Sequence, residues 1–460
     1  VPLGIEGFFL FFEKRNNMIE GDINQSVARA KWIESLDLST RRLLEEDAAV
    51  FLHQSMSSPC MEVVESCKNS SLKTLSGREI LDFHGNNVHQ IGYGNEYVVQ
   101  KVMEQMVRLP FSPRRYTNQV AIDFAQRLTG LLPDPLSRVL FAPGGTLAIG
   151  MALKLARVVT GKHKVVSFWD SFHGASLDAI SVGGESVFRQ DMGPMMPGVI
   201  RIPPPATYRG FFGDNEGDQL KYADYLEYVI EKEGDIGAFV AETIRNTDVQ
   251  IPSLQYWQRV REICDKHGVL LILDEIPIAM GRTGKMFAFE HYGIVPDILC
   301  LGKGLGGGLI PMAAMVCREE YNVAGHISLG HYTFEKNPPG CAAGLATLEF
   351  IEENQILKKV VDDEQFMADQ MDALKELCPK IGDVRGKGLL WGVELVENIA
   401  TKEKAVDLAE KVMYQCLKQG LSFKVSQGNV IQLSPALTIS REDLSAGVTI
   451  LKSAIIENTE

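Results

Sequence analysis

The stretch Val269-Leu-Leu-Ile-Leu-Asp274 is an apolar run closed by a carboxylate, and Asp297-Ile-Leu-Cys-Leu-Gly302 is closed by Lys303, which leads into Gly304-Leu-Gly-Gly-Gly308. Short apolar runs of this kind read as β-strands covered on both faces. In such α/β sheets ligands collect beyond the carboxyl ends of the strands. An acid and an amine delivered to that edge suit the two ends of one cofactor. Pyridoxal 5′-phosphate (PLP) needs such a pair: a lysine amine for a Schiff base and an acid beside the pyridinium nitrogen. The same two strands read equally as a structural salt bridge beside a glycine-rich turn.

Working outward, apolar runs alternate with helical stretches from Leu81-Asp-Phe83 to about residue 335. Strands are expected at Arg138–Ala142, Lys164–Phe168, Gly237–Ala241 and Met312–Cys317, besides the two above, with helices at about 146–159 and 254–267. This β-α-β alternation predicts an α/β fold with a largely parallel sheet covered by helices. Past residue 340 the pattern changes to helices at about 340–353, 355–376, 402–418 and 441–456. They flank short strands near 384–395, 421–425 and 430–433. That predicts a smaller α+β domain, joined by residues 24–70, which read as helices. The expected division is 18–75 as an N-terminal segment, 76–340 as the large domain and 341–460 as the small one.

The chain has 460 residues, 45% of them hydrophobic, enough for a large core in more than one domain. A formal charge of −13 without a local basic patch argues against nucleic-acid or anionic-membrane partners. Eight cysteines, scattered without a Cys-x-x-Cys pair, read as reduced thiols in the cytoplasm. No apolar run is long enough to cross a bilayer. The patch Phe8-Phe-Leu-Phe-Phe12 lies between Glu6 and Glu13-Lys14-Arg15, without the layout of a signal peptide. With Met18 as a natural start, residues 1–17 are read as an upstream extension or a cloning remnant.

Other strand ends carry chemistry too. Pro143-Gly144-Gly145-Thr146 follows the 138–142 strand and opens a helix, whose free N–H groups form an anion site. Thr146 either donates to a phosphate or caps the helix. The 164–168 strand leads to Asp170-Ser-Phe172-His173-Gly174, where an aromatic ring can cover a planar cofactor or simply fill a turn. Strand 237–241 ends at Glu242, an orienting carboxylate or an ordinary surface acid. His84 and His89 lack the spacing of a metal set and suit a turn or a substrate pocket, so no metal is expected.

These stretches together resemble class III (subgroup II) aminotransferases, PLP enzymes of fold type I, over residues 24–457. The resemblance rests on Phe141-Ala-Pro-Gly-Gly-Thr146, Phe172-His-Gly174, Glu242, Leu273-Asp-Glu-Ile276, Gly281-Arg-Thr-Gly284 and Pro296–Gly306. Tyr332-Thr-Phe334 with Asn337-Pro338 adds to it. It implies a mainly parallel seven-stranded sheet in the large domain. It also implies that Lys303 carries the cofactor and that Asp274 pairs with the pyridine nitrogen. Phe172 and Ile276 would cover the two ring faces, with His173 and Glu242 beside them. Gly144, Gly145 and Thr146 would hold the phosphate, joined by Thr333 from a second subunit, so the expected assembly is a homodimer with shared active sites.

Two positions depart from the family. Pro277 stands where a glutamine usually contacts the cofactor's ring hydroxyl, and Gln432 stands where an arginine usually clamps a substrate carboxylate. Without that bidentate fork an oxo-acid acceptor binds poorly. Arg114 and Arg115, and Arg245 beyond Glu242, are candidates to capture a strongly anionic group such as phosphonate; surface or interface ion pairing is the competing account. Phe83–Gln90, Arg201–Pro205, Arg245–Asp248 and Ser422–Gln427 are similar to a narrower group, lyases acting on (R)-1-hydroxy-2-aminoethylphosphonate. The resulting expectation is a PLP-dependent ammonia-lyase. Lys303 removes a proton, the vicinal hydroxyl leaves as water, and phosphonoacetaldehyde and ammonia are released without an amino acceptor. An ω-aminotransferase is the alternative, and a catalytically silent binding protein a third reading.

Overall fold

The computed structural model describes residues 24–459. The Phe8–Phe12 patch, Met18 and the segment 1–17 lie outside the described residues. Three short strands come first, β1 (Val64–Lys68), β2 (Ser71–Thr74) and β3 (Glu79–Asp82). The large sheet follows with β4 (Leu136–Ala142), β5 (Lys164–Phe168), β6 (Val199–Ile202), β7 (Ile236–Glu242), β8 (Leu270–Asp274), β9 (Ile298–Leu301) and β10 (Ala313–Arg318). Its order is β4-β10-β9-β8-β7-β5-β6, and all neighbours are parallel except β10, which runs antiparallel to β4 and β9. The expected seven-stranded, mainly parallel sheet is therefore present.

Alternation along the central strands explains why both faces are dry. Ala238, Val240, Ile272, Ile298, Cys300, Ala313 and Met315 pack under helix Gly145–Thr160. Phe239, Ala241, Leu271, Leu273, Leu299 and Leu301 point the other way, towards Trp257, Val260 and Ile263 of helix Leu254–His267. Strands buried on both faces read as continuous apolar runs, so their sequence carries no period-2 polar signal. β6 was not expected from sequence. Its Val-Ile-Arg-Ile run is short and contains a charge, and among the described residues it pairs in the sheet with β5 alone.

The C-terminal region adds β11 (Ile381–Lys387), β12 (Leu390–Asn398), β13 (Glu403–Lys404), β14 (Leu421–Ser422), β15 (Lys424–Ser426) and β16 (Val430–Leu433). Helices Pro338–Glu353, Ile356–Leu377, Val406–Lys418 and Arg441–Glu457 lie between and after them. β11-β12-β16-β15 form one antiparallel sheet. β14 leaves it and pairs in parallel with β3, giving the order β1-β2-β3-β14. The reading of 24–70 as helices holds for Val27–Ser35 and Leu38–Val50 but not for 64–68, which forms β1. All five β1 residues are exposed, so there is no buried face to imprint a pattern, and pairing with β2 makes the strand.

Candidate active site

Glu242 and Asp274 are direct partners in the β7–β8 register, and Asp274 is opposite Cys300 of β9. Lys303 follows three residues later, so sheet register alone brings the three ionisable groups to one edge. Asp274 is buried; its Oδ2 accepts from His173 Nδ1 at 2.8 Å and its Oδ1 from the Ile276 amide at 3.0 Å. Burial alone would push the His173 pKa down, but the hydrogen bond and charge of Asp274, then the charge of Glu242, raise it. After accepting these two bonds the Asp274 carboxylate keeps lone pairs for a further N–H donor.

Glu242 is buried as well, accepting from the Phe172 amide at 3.4 Å and the Asn246 amide at 3.0 Å. Burial is the main cause of its raised pKa. Burial pushes the Lys303 amine down, against the charges of Asp274 and Glu242, and Lys424 pushes in the same direction as burial. Lys303 holds φ +48°, left-handed backbone that costs a non-glycine residue on the order of 1 kcal/mol. Such strain is retained where the surroundings over-determine it, here between Gly302 and the Gly304–Gly308 turn.

At the end of β4, Gly144 is the N-cap of helix Gly145–Thr160 and no side chain caps it. Thr146 does not cap its own helix. Its hydroxyl bonds Ser176 Oγ at 2.5 Å and accepts from the Ser176 amide at 3.1 Å. Ile276 sits against both glycine junctions: a Cβ on Gly145 would lie 2.8 Å from it and one on Gly302 3.1 Å. Phe172 is half-buried, with its ring 4.6 Å from that of Phe188. An uncapped helix start, a carboxylate braced by histidine, and a lysine amine with a depressed pKa fit the phosphate, ring nitrogen and aldehyde of PLP. Glycines also leave room for the cofactor at the phosphate end and beside the lysine.

Not every expected residue joins this group. Thr333 is exposed on the loop beyond Leu329, next to exposed Phe334. Arg114 is half-buried and Arg115 exposed, on a loop whose Phe111 packs edge-on to Phe334 at 5.6 Å. No hydrogen bond or ion pair among the described residues ties these three to Lys303. Arg245 is buried, paired with Asp248 at 2.6 Å. It lines a cavity of about 550 Å³ with Arg201, Arg209, Glu394, Lys404 and Gln427. Two stretches singled out in sequence, 201–205 and 245–248, and Gln427 from a third thereby meet in one cleft between the two sheets.

His84, read from sequence as a turn or substrate-pocket residue, and Lys424, which was not singled out, both lie close enough to Lys303 for their charges to act on one another. Burial, then the charges of Lys424 and Lys303, hold His84 down to about 4 against the opposing pull of Asp82. The sequence signal for Lys424 was membership of the 422–427 stretch. Gln432 is fully buried on β16, and neither end of its amide has a hydrogen-bond partner among the described residues.

A family model described as aminotransferase class-III matches residues 53–455. The (R)-1-hydroxy-2-aminoethylphosphonate ammonia-lyase of Vibrio splendidus (strain 12B01) is 58% identical over 452 residues, covering 95% of this chain and 94% of that protein. The leucine/methionine racemase of Thermococcus litoralis is 34% identical over 426 residues, covering 91% and 96%. Among solved structures, an amine transaminase from an uncultivated Pseudomonas species in its PLP-bound form superposes with a TM-score of 0.84 at 28% identity. It covers 89% of this chain and 98% of that one.

Proposed function

This chain belongs to the class-III aminotransferase family, and from that membership we propose that it is a PLP-dependent ammonia-lyase acting on (R)-1-hydroxy-2-aminoethylphosphonate. The observation that carries the reading is the 58% identity, over nearly the whole of both chains, to a lyase of that name. Pro277 and Gln432, at positions where an amino-transferring enzyme uses a side-chain amide and an arginine, support elimination over transfer.

When bound, the cofactor supplies an aldehyde that takes the substrate amine and a ring that accepts electrons. Asp274, held by His173, keeps a proton on the ring nitrogen. Burial lowers the pKa of Lys303 and so favours the neutral amine, the form able to take the proton from the amine-bearing carbon. Lys303 then returns that proton to the departing hydroxyl, which leaves as water. Water re-enters when the product hydrolyses, so the net change is loss of ammonia to give phosphonoacetaldehyde. Glu242 is protected from solvent and stands beside Asp274 in the strand register.

In this reading Gly144, Gly145 and Thr146 hold the cofactor phosphate, and Phe172 and Ile276 cover the ring. Thr333, Arg114 and Arg115 act from the second subunit of a homodimer, and Arg245 shapes the anionic end of the pocket. The reading keeps the division into 18–75, 76–340 and 341–460; the sheet order β1-β2-β3-β14, in which β1 and β2 of the first unit reach β14 of the last through β3, supports joining the first unit to the last. It places the enzyme in the cytoplasm, in keeping with eight free thiols.

The test is ammonia release from the aminohydroxyphosphonate with and without pyruvate or 2-oxoglutarate. Release without acceptor is expected. Strict dependence on an acceptor would overturn the lyase in favour of the ω-aminotransferase. Lys303→Ala is expected to lower turnover by at least about 10³-fold while leaving the fold intact by circular dichroism.

A further inference from the structure

The cleft between the two sheets is built from strand exits of both domains. Trp169 and Asp170 follow β5, Arg201 lies at the end of β6, and Arg245 and Asp248 follow β7. Glu394 of β12, Lys404 of β13 and Gln427, just past β15, complete the wall from the small domain. Lys303, Asp274, His173 and Glu242 are not among the residues that line this cavity of about 550 Å³, so it is a space apart from the cofactor end.

Four cations (Arg201, Arg209, Arg245, Lys404) and three acids (Asp170, Asp248, Glu394) line the cleft. Asp248 is held by Arg245 at 2.6 Å, and Glu394 by Arg209 at 2.5 Å and by Arg385 at 2.9 Å. Among the described residues Arg201 and Lys404 then have no acid within ion-pair distance, and Asp170 has no base. Arg201 Nε donates to the Gly183 carbonyl at 2.9 Å and its Nη2 to that of Ser181. Its guanidinium lies 5.6 Å from the centre of the Trp169 ring, and Arg189 lies at the same distance from that ring. Burial, then the charge of Arg189, push the Arg201 pKa down to about 10. Lys404 spends one N–H on the Gln427 carbonyl at 2.9 Å, which leaves two donors. Burial pushes its pKa down as well, against the pull of Glu394. Asp170 holds φ +59°, and its charge acts on both Arg245 and Lys404. Partly desolvated cations without counter-ions are costly, and a cleft that keeps two of them open is arranged for an anion.

We propose that this cleft is a second ligand site, outside the cofactor pocket, for a small aminoalkylphosphonate, with Arg201 and Lys404 taking the phosphonate and Asp170 the ammonium. Two open cations match the two charges of a phosphonate, where a carboxylate would leave one of them over, and the open acid matches an ammonium. The choice of phosphonate rests on the lyase reading, whose substrate carries this charge pattern. Arg201 belongs to the large sheet and Lys404 to the small domain, so one ligand held by both ties the two domains together.

The experiment uses holoenzyme reduced with borohydride, in which the cofactor stays bonded to Lys303 and cannot take up an amine. Calorimetric Kd is read for 2-aminoethylphosphonate, for ethylphosphonate as the anion alone and for propylamine as the amine alone. The parent is expected to bind 2-aminoethylphosphonate once per chain, ethylphosphonate several-fold more weakly and propylamine not measurably. Lys404→Met and Arg201→Gln are each expected to raise Kd for both phosphonates at least about tenfold, the scale of one charge-assisted hydrogen bond. Bound 2-aminoethylphosphonate should raise the parent's Tm, and Lys404→Met should remove most of that rise. Asp170→Asn, a change that left-handed backbone tolerates, should make 2-aminoethylphosphonate bind no better than ethylphosphonate; it decides the case if the other variants fail to fold. No binding to the reduced parent, unchanged Kd in Lys404→Met and Arg201→Gln, or the parental preference retained in Asp170→Asn overturns the site. A parent that binds in this way yet releases no ammonia from the aminohydroxyphosphonate overturns the lyase reading and leaves the site standing.

Discussion

Arg245 illustrates how burial changes the meaning of a charge that stands out in sequence. It was a candidate to meet an anionic substrate, and it is held by Asp248 in a pair with both side chains 8% exposed. Burial works against its charge, while Asp248, then Asp170, Glu242 and Glu185, outweigh that and raise its pKa. Removing one partner of such a pair leaves a buried uncompensated charge. Arg245→Met is therefore expected to lose about 3–5 kcal/mol, and Arg245→Met with Asp248→Leu to recover most of it, measured by denaturant unfolding. Asp274 and Lys303 were legible because their strands are apolar to the last residue before the charge. Lys424 was not, since it stands in no motif whose chemistry reads locally, and for His84 the sequence left a turn and a substrate pocket open. His291 offers a pH test away from the site. Burial, then Lys387, hold it down to about 4, although Thr283 accepts a hydrogen bond from its ring. Between pH 6.5 and 4 the unfolded chain takes up this proton before the folded one does, so stability falls as pH falls through that window. His291→Gln should flatten the fall in unfolding free energy between pH 6.5 and 4.5, read by denaturant unfolding, by roughly 1 kcal/mol after allowing for partial exposure.

At the scale of elements, the site depends on strand exits rather than on the sheet alone. Helix Arg441–Glu457 packs its Gly447 on the ring of Phe83, where an added Cβ would come within 2.3 Å of Phe83 Cζ. Phe83 is fully buried and immediately precedes His84, so the backbone there has little freedom to yield. Gly447→Ala is expected to cost about 1–3 kcal/mol by overpacking, despite the better helix propensity of alanine. A lower Tm accompanied by a weaker Kd for 2-aminoethylphosphonate, read on the cofactor absorbance of unreduced holoenzyme, would trace the strain to the β3 exit. The antiparallel direction of β10 and the departure of β14 from its neighbours were not legible in the chain. Direction is set by how connections pack, and apolar strands look alike whichever way they run.

At the scale of the molecule, helix Glu96–Arg108 leaves Met103, Met106 and Val107 exposed, with Val107 at 89%. Exposed Phe111 and Phe334 pack against each other on the loops that carry Arg114, Arg115 and Thr333. Apolar residues gathered beside loops with a proposed role in a second active site suit the proposed homodimer. Met103→Glu with Val107→Lys is expected to give monomers by sedimentation and to release cofactor, because Thr333 would no longer reach its phosphate. Dimers with full cofactor content in that variant would move the interface elsewhere. The amino-acid sequence by itself determined the strand cores, the Asp274 and Lys303 ends and the glycine-threonine junction, because each is encoded within a few consecutive residues. Only the tertiary structure decided that Glu242 lies beside Asp274, that Asp248 occupies Arg245, and that His84 and Lys424 leave neighbouring strands next to Lys303. Those relations join residues up to 340 positions apart in the chain. They arise from sheet register and from packing between units, which no local pattern records.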